Sequence, residues 1–336
     1  MPGERAYLTR PSNRGSRSLF SDLTQLLFGL VLLLGGGEVL VRGASTLARC
    51  LGVPPLVIGL TVVSFGTSAP ELAVNIAAAW RGAPELAFGN VMGSNMANIG
   101  LIVSVTALLI PLAVTSRIVV REIPMMILVT VVAGVFAMDH AFTGNSGGYD
   151  RGDGIVLLMW LGVFLYYTVG DAIAGREENL GTHEGKGGFR ASIGLVLAGS
   201  VALVAGAEFT VNGGLGLARA AGISEVVVGL TVVAVGTSLP ELAASVVSVY
   251  RGHPAIAIGN VVGSNIFNLT LVLGVASMLS PIPVPAGGLG DIAAVVVLSF
   301  VLWATTFARP ARIVRIEGAL LLVIYLVYIL WRAEVF

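Results

Sequence analysis

The sequence predicts an all-α polytopic membrane protein with ten transmembrane helices, arranged as two inverted-topology repeats of five. Three observations support this fold class: the composition, a series of long apolar runs and an internal repeat. Hydrophobic residues make up 56% of the 336-residue chain and charged residues only 11%, whereas a soluble domain carries about 25% charged residues. The composition therefore excludes an ordinary soluble domain.

Ten apolar runs have the length of roughly 20 residues that crosses a bilayer as a helix. We place these runs at 22–48, 55–80, 86–110, 119–138, 154–174, 191–218, 225–250, 256–279, 289–308 and 313–331. The first run is too long for a signal peptide and lacks a clear cleavage site, so we expect it to remain as a span. Residues 1–18 contain four arginines and are expected to form a disordered basic tail.

The chain repeats itself at an offset of 170 residues. Residues 60–100 match residues 230–270 at 22 of 41 positions without a gap. We therefore expect a first five-helix repeat at 19–174, a polar linker at 175–190 and a second five-helix repeat at 191–336. Five spans per half make the second half enter the membrane from the opposite side, and such inverted repeats are typical of secondary transporters with a site near the midplane.

The membrane orientation is predicted from the charged loops. An N-terminus outside the cell places most loop arginines and lysines in the cytoplasm, as the positive-inside rule favours. The four arginines of the tail favour the opposite orientation. We expect the N-terminus outside, in the inner or plasma membrane.

Several classes of function are excluded by the residues present. The single cysteine, Cys50, excludes a disulfide framework, and the three histidines fall in predicted loops without forming a metal cluster. No phosphate-binding loop motif is present, so nothing indicates nucleotide-driven pumping. The net charge is zero and there is no large basic patch, so we expect neither a nucleic-acid partner nor a cofactor.

The first repeated motif places a carboxylate within an apolar run. GTSAPEL begins at Gly66 and GTSLPEL at Gly236. A proline ring opposes the carbonyl four residues back, so we expect each helix to break at membrane depth, with freed carbonyls that line a cavity. Hydroxyl and carboxylate oxygens then share one face of the helix, which predicts a site for a hard cation. The candidate ligands are Thr67, Ser68, Glu71, Thr237, Ser238 and Glu241.

The same letters also fit a capping box, in which the serine starts a new half-helix. The two interpretations coexist here, because a carboxylate in mid-bilayer costs several kcal/mol unless it is paired or solvated. No arginine or lysine lies within 55–80 to pair with Glu71. We therefore favour a binding role for both glutamates.

The second repeated motif, GNVMGSNMAN from Gly89 and GNVVGSNIFN from Gly259, follows in the next span of each half. Serine and asparagine are ordinary hydrogen-bonding groups between membrane helices. We assign that structural role to Asn90, Asn95, Asn260 and Asn265. A spacing of four places the others on one face towards the glutamates, so we expect a ligand role for Ser94, Asn98, Ser264 and Asn268.

Two further repeated features have simpler explanations. Glu38 has Arg42 four residues on, an ordinary helical ion pair, while its repeat equivalent Glu208 has no such partner. We expect both glutamates to be structural or to line an access path. Arg81 and Arg251 each follow an aromatic residue and resemble interfacial anchors.

The two motif pairs resemble the paired repeats of the sodium/calcium exchanger family, within the cation/Ca²⁺ antiporter superfamily, and the chain is similar to its compact bacterial members. This resemblance covers nearly the whole chain and implies ten spans in two inverted halves. It implies a site of the ten candidate residues, completed by backbone carbonyls near Ser64 and Ala234, which holds one Ca²⁺ or several Na⁺ in alternation. It also implies that the first and sixth spans slide across the other eight. Some relatives, including the potassium-dependent ones, carry Asp where this chain has Asn268.

The charge count agrees with that implication. Glu71 and Glu241 supply two negative charges, enough to neutralise one Ca²⁺, and nearby oxygens can complete the six to eight ligands that it prefers. Two such carboxylates need another cation when Ca²⁺ leaves. The sequence therefore predicts a Ca²⁺/Na⁺ antiporter, with Ca²⁺, Na⁺ and the lipid bilayer as partners and a monomeric transport unit.

Three other functions are compared with Ca²⁺/Na⁺ antiport: an H⁺/Ca²⁺ antiporter, an intramembrane enzyme and a passive channel. An H⁺/Ca²⁺ antiporter would use the same site, because the carboxylates could bind protons. An intramembrane enzyme would need a nucleophile beside a base, and neither Ser68 nor Ser238 has a histidine or lysine beside it, so we expect no enzymatic activity. A passive channel would show single-channel current rather than slow, saturable exchange.

Overall fold

The computed structural model describes residues 19–138, 148–177, 188–220, 234–307 and 312–334. The predicted tail at 1–18, most of the predicted linker and the first part of the predicted span at 225–250 lie outside the described residues. Almost all of the described chain is helical, and we number its helices α1 to α12.

The first half contains six helical segments. They are α1 (Leu19–Leu51), α2 (Pro55–Thr67), α3 (Ala69–Trp80), α4 (Pro84–Leu109), α5 (Ile118–Ala137) and α6 (Arg151–Glu177). The second half contains α7 (Phe189–Ala220), α8 (Ala234–Thr237), α9 (Leu239–Tyr250), α10 (Pro254–Leu279), α11 (Gly288–Thr305) and α12 (Arg315–Glu334). The predicted spans agree with these helices to within a few residues wherever the chain is described.

Two short antiparallel β-ladders join loops at the ends of the bundle. Strand β1 (Leu112–Ala113) pairs with β4 (Arg312–Ile313), with Leu112 opposite Ile313. Strand β2 (Gly148–Tyr149) pairs with β3 (Ile282–Pro283), with Tyr149 opposite Ile282. Each ladder therefore connects a loop of the first half to a loop of the second.

Within the described residues, seven helices are long and apolar enough to cross a membrane, and the bent pair α2–α3 makes eight if it is one span. Helices α4 and α10 are the most enclosed, with 78% and 94% of their apolar windows buried inside the protein. These two helices carry the second repeated motif, so that motif lies at the centre of the bundle.

The predicted helix break is present in both halves. Helices α2 and α3 meet at an angle of 43°, and Ser68 between them has φ −84° and ψ 4°. Ser238 has φ −88° and ψ 2° at the equivalent position before α9. A proline near the start of the following helix lacks the N–H that a continuous helix would need, so each break follows from Pro70 or Pro240.

A stripe of glycines holds α1 and α7 close together. Early residues of α1 contact late residues of α7, so the two helices are antiparallel. A Cβ added at Gly199 would lie 2.5 Å from the backbone nitrogen of Leu40, and one at Gly206 would lie 2.8 Å from that of Leu33. Glycine lets helix backbones approach this closely in membranes. The glycine stripe repeats every seven residues on both helices, at Gly29, Gly36 and Gly43 and at Gly199, Gly206 and Gly213.

Candidate ion-binding site

The helix breaks position the two repeated glutamates. Glu71 and Glu241 lie in the first turns of α3 and α9, and each side chain is only 1% exposed. Each carboxylate lies near groups of the other half: Glu71 faces Glu241 and lies near the hydroxyl of Thr237, with which it makes no hydrogen bond. In the same way, Glu241 faces the hydroxyls of Thr67 and Ser68. The two carboxylates therefore lie close together, buried between the two halves of the chain.

The structure does not support the alternative interpretation in which Ser68 caps α3. The side chain of Ser68 makes no capping hydrogen bond to α3, and its Oγ donates instead to Glu241 Oε1 at 3.2 Å. Ser238 likewise makes no capping bond to α9. The bend at Ser68 turns its hydroxyl away from its own half-helix, so sequence spacing along one helix does not give the contact.

Many polar atoms at this site are buried without a hydrogen-bond partner. Both carboxylate oxygens of Glu71 and Oε2 of Glu241 are in this state. Buried polar groups are normally hydrogen-bonded, so each exception calls for an explanation. Six other candidate ligands also carry a buried polar atom without a partner: Ser94, Asn98, Thr237, Ser238, Ser264 and Asn268.

The candidate asparagines begin irregular helical turns. Asn98 starts a π-helical segment, Asn98–Val103, within α4, and Asn268 starts Asn268–Val272 within α10. Single π-helical turns inside α-helices occur frequently at functional sites. Asn268 donates from Nδ2 to Asn95 Oδ1 at 3.1 Å, which leaves Asn268 Oδ1 without a partner.

Most of the asparagines to which we assign a structural role form hydrogen bonds between different helices. Asn260 accepts from Thr67 Oγ1 at 3.1 Å and donates to Ser245 Oγ at 3.2 Å. Asn95 donates to the carbonyl of Asn265 at 3.4 Å, whereas Asn265 donates within its own helix. Asn90 Nδ2 and Asn265 Oδ1 are each buried without a hydrogen-bond partner.

Sequence reasoning missed two buried polar groups beside the site. Asn75 lies one turn after Glu71, is fully buried and has no partner for either side-chain polar atom. Ser64 donates through Oγ to the carbonyls of Gly59 at 2.7 Å and Asn260 at 3.0 Å. The repeat itself gave a signal for Asn75, since its equivalent Ser245 is also polar. The repeat gave no such indication for the hydroxyl of Ser64, because the equivalent residue in the second half is Ala234.

The carbonyl expected to complete the site is already engaged in the first half. The backbone oxygen of Ser64 accepts the N–H of Ser68 at 2.9 Å and lies 3.3 Å from Thr67 Oγ1.

The acidic pair outside the site is asymmetric. Glu38 bonds Arg42 within α1, as predicted, and also pairs with Arg251 Nε at 2.5 Å. The prediction that Arg251 is only an interfacial anchor is therefore incomplete. Among the described residues, Glu208 has no ion-pair partner and lies exposed on α7.

The donor set suits a hard cation rather than a transition metal. The oxygens come from two carboxylates, several hydroxyls and two carboxamides, the ligand types that Ca²⁺ prefers. Within the described part of the chain, no group of three histidine, cysteine, aspartate or glutamate side chains could hold a metal ion. Na⁺ and Ca²⁺ have similar needs for oxygen ligands, so the chemistry fits either as cargo.

Comparison with known proteins identifies the family. The family described as sodium/calcium exchanger protein matches residues 22–170 and again residues 191–333. The inner membrane protein YrbG of Escherichia coli is 35% identical over 327 residues, which cover 92% of this chain and 97% of that protein. The sodium/calcium exchanger MaX1 of Methanosarcina acetivorans is 33% identical over 336 residues, with coverage of 90% and 96%.

A solved structure of the sodium-calcium exchanger NCX_Mj has the same fold. It superposes with a TM-score of 0.80 at 32% sequence identity and covers 93% of this chain and 98% of that one. That structure belongs to a study of extracellular ion exchange and binding-site occlusion. Matches of this extent, together with the apolar helices, show that the chain is an integral membrane protein and a member of the sodium/calcium exchanger family, which comprises antiporters rather than enzymes.

Proposed function

We propose that this protein exchanges Ca²⁺ for Na⁺ by alternating access at one site shared by Glu71 and Glu241. The observation that carries the proposal is the state of the two carboxylates. Both are buried, they face each other across the two halves, and three of their four oxygens have no hydrogen-bond partner. A buried charge is costly unless it is paired, and one Ca²⁺ supplies the compensating charge.

The ligand set follows from the same geometry. The proposed ligands are Thr67, Ser68, Glu71, Ser94, Asn98, Thr237, Ser238, Glu241, Ser264 and Asn268. Six of the eight uncharged ones hold a buried polar atom without a partner, which a cation would engage. Mg²⁺ should be rejected, because it dehydrates reluctantly and demands near-ideal octahedral geometry.

Ten spans in two inverted repeats would explain how the halves meet. The family match falls separately on the two halves of the chain, and α1 is antiparallel to its repeat equivalent α7. Both features support an inverted arrangement, in which each half contributes one broken helix to a midplane site. We propose that the transport unit is a monomer, that no cofactor takes part, and that the protein lies in the inner membrane with its N-terminus outside.

The counter-ion decides between the proposal and its alternative, an H⁺/Ca²⁺ antiporter that uses the same carboxylates. Purified protein in proteoliposomes loaded with NaCl should accumulate ⁴⁵Ca²⁺ when diluted into Na⁺-free buffer at equal pH. Uptake driven by a pH gradient alone, with no response to Na⁺, would favour the alternative. A single-channel current in a planar bilayer, without saturable exchange, would contradict both antiport functions.

A matched control variant tests whether Ca²⁺ uptake depends on the carboxylates of the proposed site. Glu85 is an exposed carboxylate in the first turn of α4, so Glu85→Gln removes one negative charge outside the site. Its uptake should equal that of the unmodified protein, whereas Glu241→Gln should reduce uptake to the level of empty liposomes.

A further inference from the structure

Outside the ion site the two halves make different contacts, which suggests that ion pairs at the two ends control access to the site from each side of the membrane. The α9–α10 turn contains His253, and the α3–α4 turn contains its repeat equivalent, Ala83. Burial, and then the Arg49 guanidinium, lower the pKa of His253 below its usual 6.5, so the α9–α10 turn lies beside the end of α1. We call this the His253 side and the opposite side the Ala83 side.

On the His253 side, α1 packs tightly onto α9. A Cβ added at Gly37 would lie 3.1 Å from Val247 Cγ2 and 3.3 Å from the carbonyl of Ala243. The ion pair of Glu38 with Arg251, at 2.5 Å, joins the same two parts of the molecule. Among the ion pairs formed between described residues, it alone connects the α1–α7 pair to the rest of the bundle.

The Ala83 side has the equivalent residues without the equivalent contacts. Among the described residues, α7 makes no comparable contact with α3, and Ala73, which corresponds to Ala243, is exposed on α3. Glu208 and Arg81 correspond to Glu38 and Arg251, and both side chains are exposed and form no ion pair with another described residue. The sequence therefore contains both residues of the pair in each half, but among the described residues only Glu38 and Arg251 form it.

We propose that Glu38 with Arg251 and Glu208 with Arg81 are two alternating latches, each closing one side of the ion site. The inference rests on the proposed exchange by alternating access. In the conformation described here the His253 latch is formed and the Ala83 latch is open. When α1 and α7 move together across the bundle, the first pair separates and the second one meets.

The charges and positions of these groups indicate that each ion pair favours one conformation only slightly and does not prevent the other from forming. The side chains of Glu38 and Arg251 are 23% and 52% exposed, and partly exposed ion pairs contribute little to stability. Loss of one latch should shift the ratio of the two conformations by about two- to fivefold. A shift of this size changes which conformation predominates while both remain populated, so exchange can continue. Arg42 also holds Glu38, and its equivalent in α7 is the neutral Asn212, so the His253 latch has the additional charge.

Two symmetry-related pairs of spin labels can report both sides. On the His253 side the native Cys50 is labelled together with His253→Cys, and on the Ala83 side Ala220→Cys is labelled together with Ala83→Cys in a Cys50→Ala background. These positions are repeat equivalents, since 50 and 220, and 83 and 253, differ by 170. Electron–electron double resonance in nanodiscs then gives the distance distribution of each pair without requiring transport.

Glu38→Gln and Arg251→Gln should each lower the ratio of closed to open molecules on the His253 side by about two- to fivefold, with the opposite change on the Ala83 side. The double variant should add little to either single variant, because both remove the same pair. Glu208→Gln and Arg81→Gln should shift both distributions the other way. Arg312→Gln, which removes an exposed arginine from β4, the strand paired with β1, should change neither.

Unchanged distributions in Glu38→Gln and Arg251→Gln would overturn the proposal, as would a shift in the same direction by Glu208→Gln. The distances separate this inference from the proposed exchange. If latch variants shift the distances but no Ca²⁺ exchange is found, the latches stand and the transport proposal fails. If Ca²⁺ exchange is present but the latch variants leave the distances unchanged, the transport proposal stands and the latch proposal fails.

Discussion

At the scale of single residues, the proposed site contains two buried carboxylates that form no ion pair with a basic side chain among the described residues. Glu71 and Glu241 are both 1% exposed and face each other. The sequence predicted their location in broken helices, because a proline within an apolar run has a fixed consequence for the backbone. It did not predict that Ser68 bonds Glu241, because spacing along one helix gives no information on which helix lies opposite.

Glu71→Gln and Glu241→Gln should each abolish Ca²⁺ transport while the protein remains folded in the membrane. Each change removes half of the charge that offsets a divalent cation and nearly preserves the side-chain volume. The measurement is ⁴⁵Ca²⁺ uptake, with size-exclusion profile and thermal unfolding as tests of folding. Uptake near the normal rate by either variant would remove that glutamate from the site.

Asn268→Asp should make Ca²⁺ uptake more sensitive to acid. A third carboxylate beside Glu71 and Glu241 favours proton binding by the cluster, so protons should compete with Ca²⁺ at a higher pH. The substitution also removes the amide that donates to Asn95 Oδ1. Uptake measured from pH 6 to pH 9 provides the test, and a profile that matches the unmodified protein would place Asn268 outside the site.

At the scale of elements, the helix boundaries follow from hydropathy, whereas their close packing follows from small residues. The apolar runs predicted α4 and α10 to within two residues at each end. The π-helical turns at Asn98 and Asn268 were not predicted, because they follow from packing in the assembled bundle rather than from local preference. The glycines of α1 and α7 recur every seven residues in the sequence, but among 44 glycines this spacing alone does not show which helices pack together.

Gly199→Ala should destabilise the α1–α7 pair. The new Cβ would lie 2.5 Å from the backbone nitrogen of Leu40, so the helices must separate, and overpacking of this kind costs about 1–3 kcal/mol. Thermal unfolding in detergent should show a lower midpoint.

Gly194→Ala is the matched control on the same helix. Gly194 is exposed, and no atom of a neighbouring helix lies within 4 Å of the position that an added Cβ would occupy. Alanine should therefore be neutral there or stabilise the helix by up to about 1 kcal/mol. Equal melting temperatures for the two variants would show that the close approach of α1 and α7 contributes nothing to stability.

At the scale of the whole molecule, the duplication provided most of the architecture that could be predicted. A match of 22 of 41 residues between the halves predicted two equivalent glutamates, and the structure buries both and brings them to face each other. The differences between the halves were not predictable in this way. Glu38 pairs with Arg251 while Glu208 remains exposed, because equivalent residues in the two halves have different neighbours in the assembled bundle.

The central claim is that two oppositely oriented halves bring Glu71 and Glu241 to one site, and membrane sidedness tests it most directly. Single cysteines at Ala83 and His253, in a Cys50→Ala background, are exposed in turn to a membrane-impermeant thiol reagent from each face of sealed vesicles. These positions lie in turns of nearly identical sequence, RGAP and RGHP, so the intrinsic reactivity of the two turns is closely matched. We predict labelling of Ala83→Cys from the outside and of His253→Cys from the cytoplasmic face. Labelling of both from the same face would mean parallel repeats and would contradict the shared site.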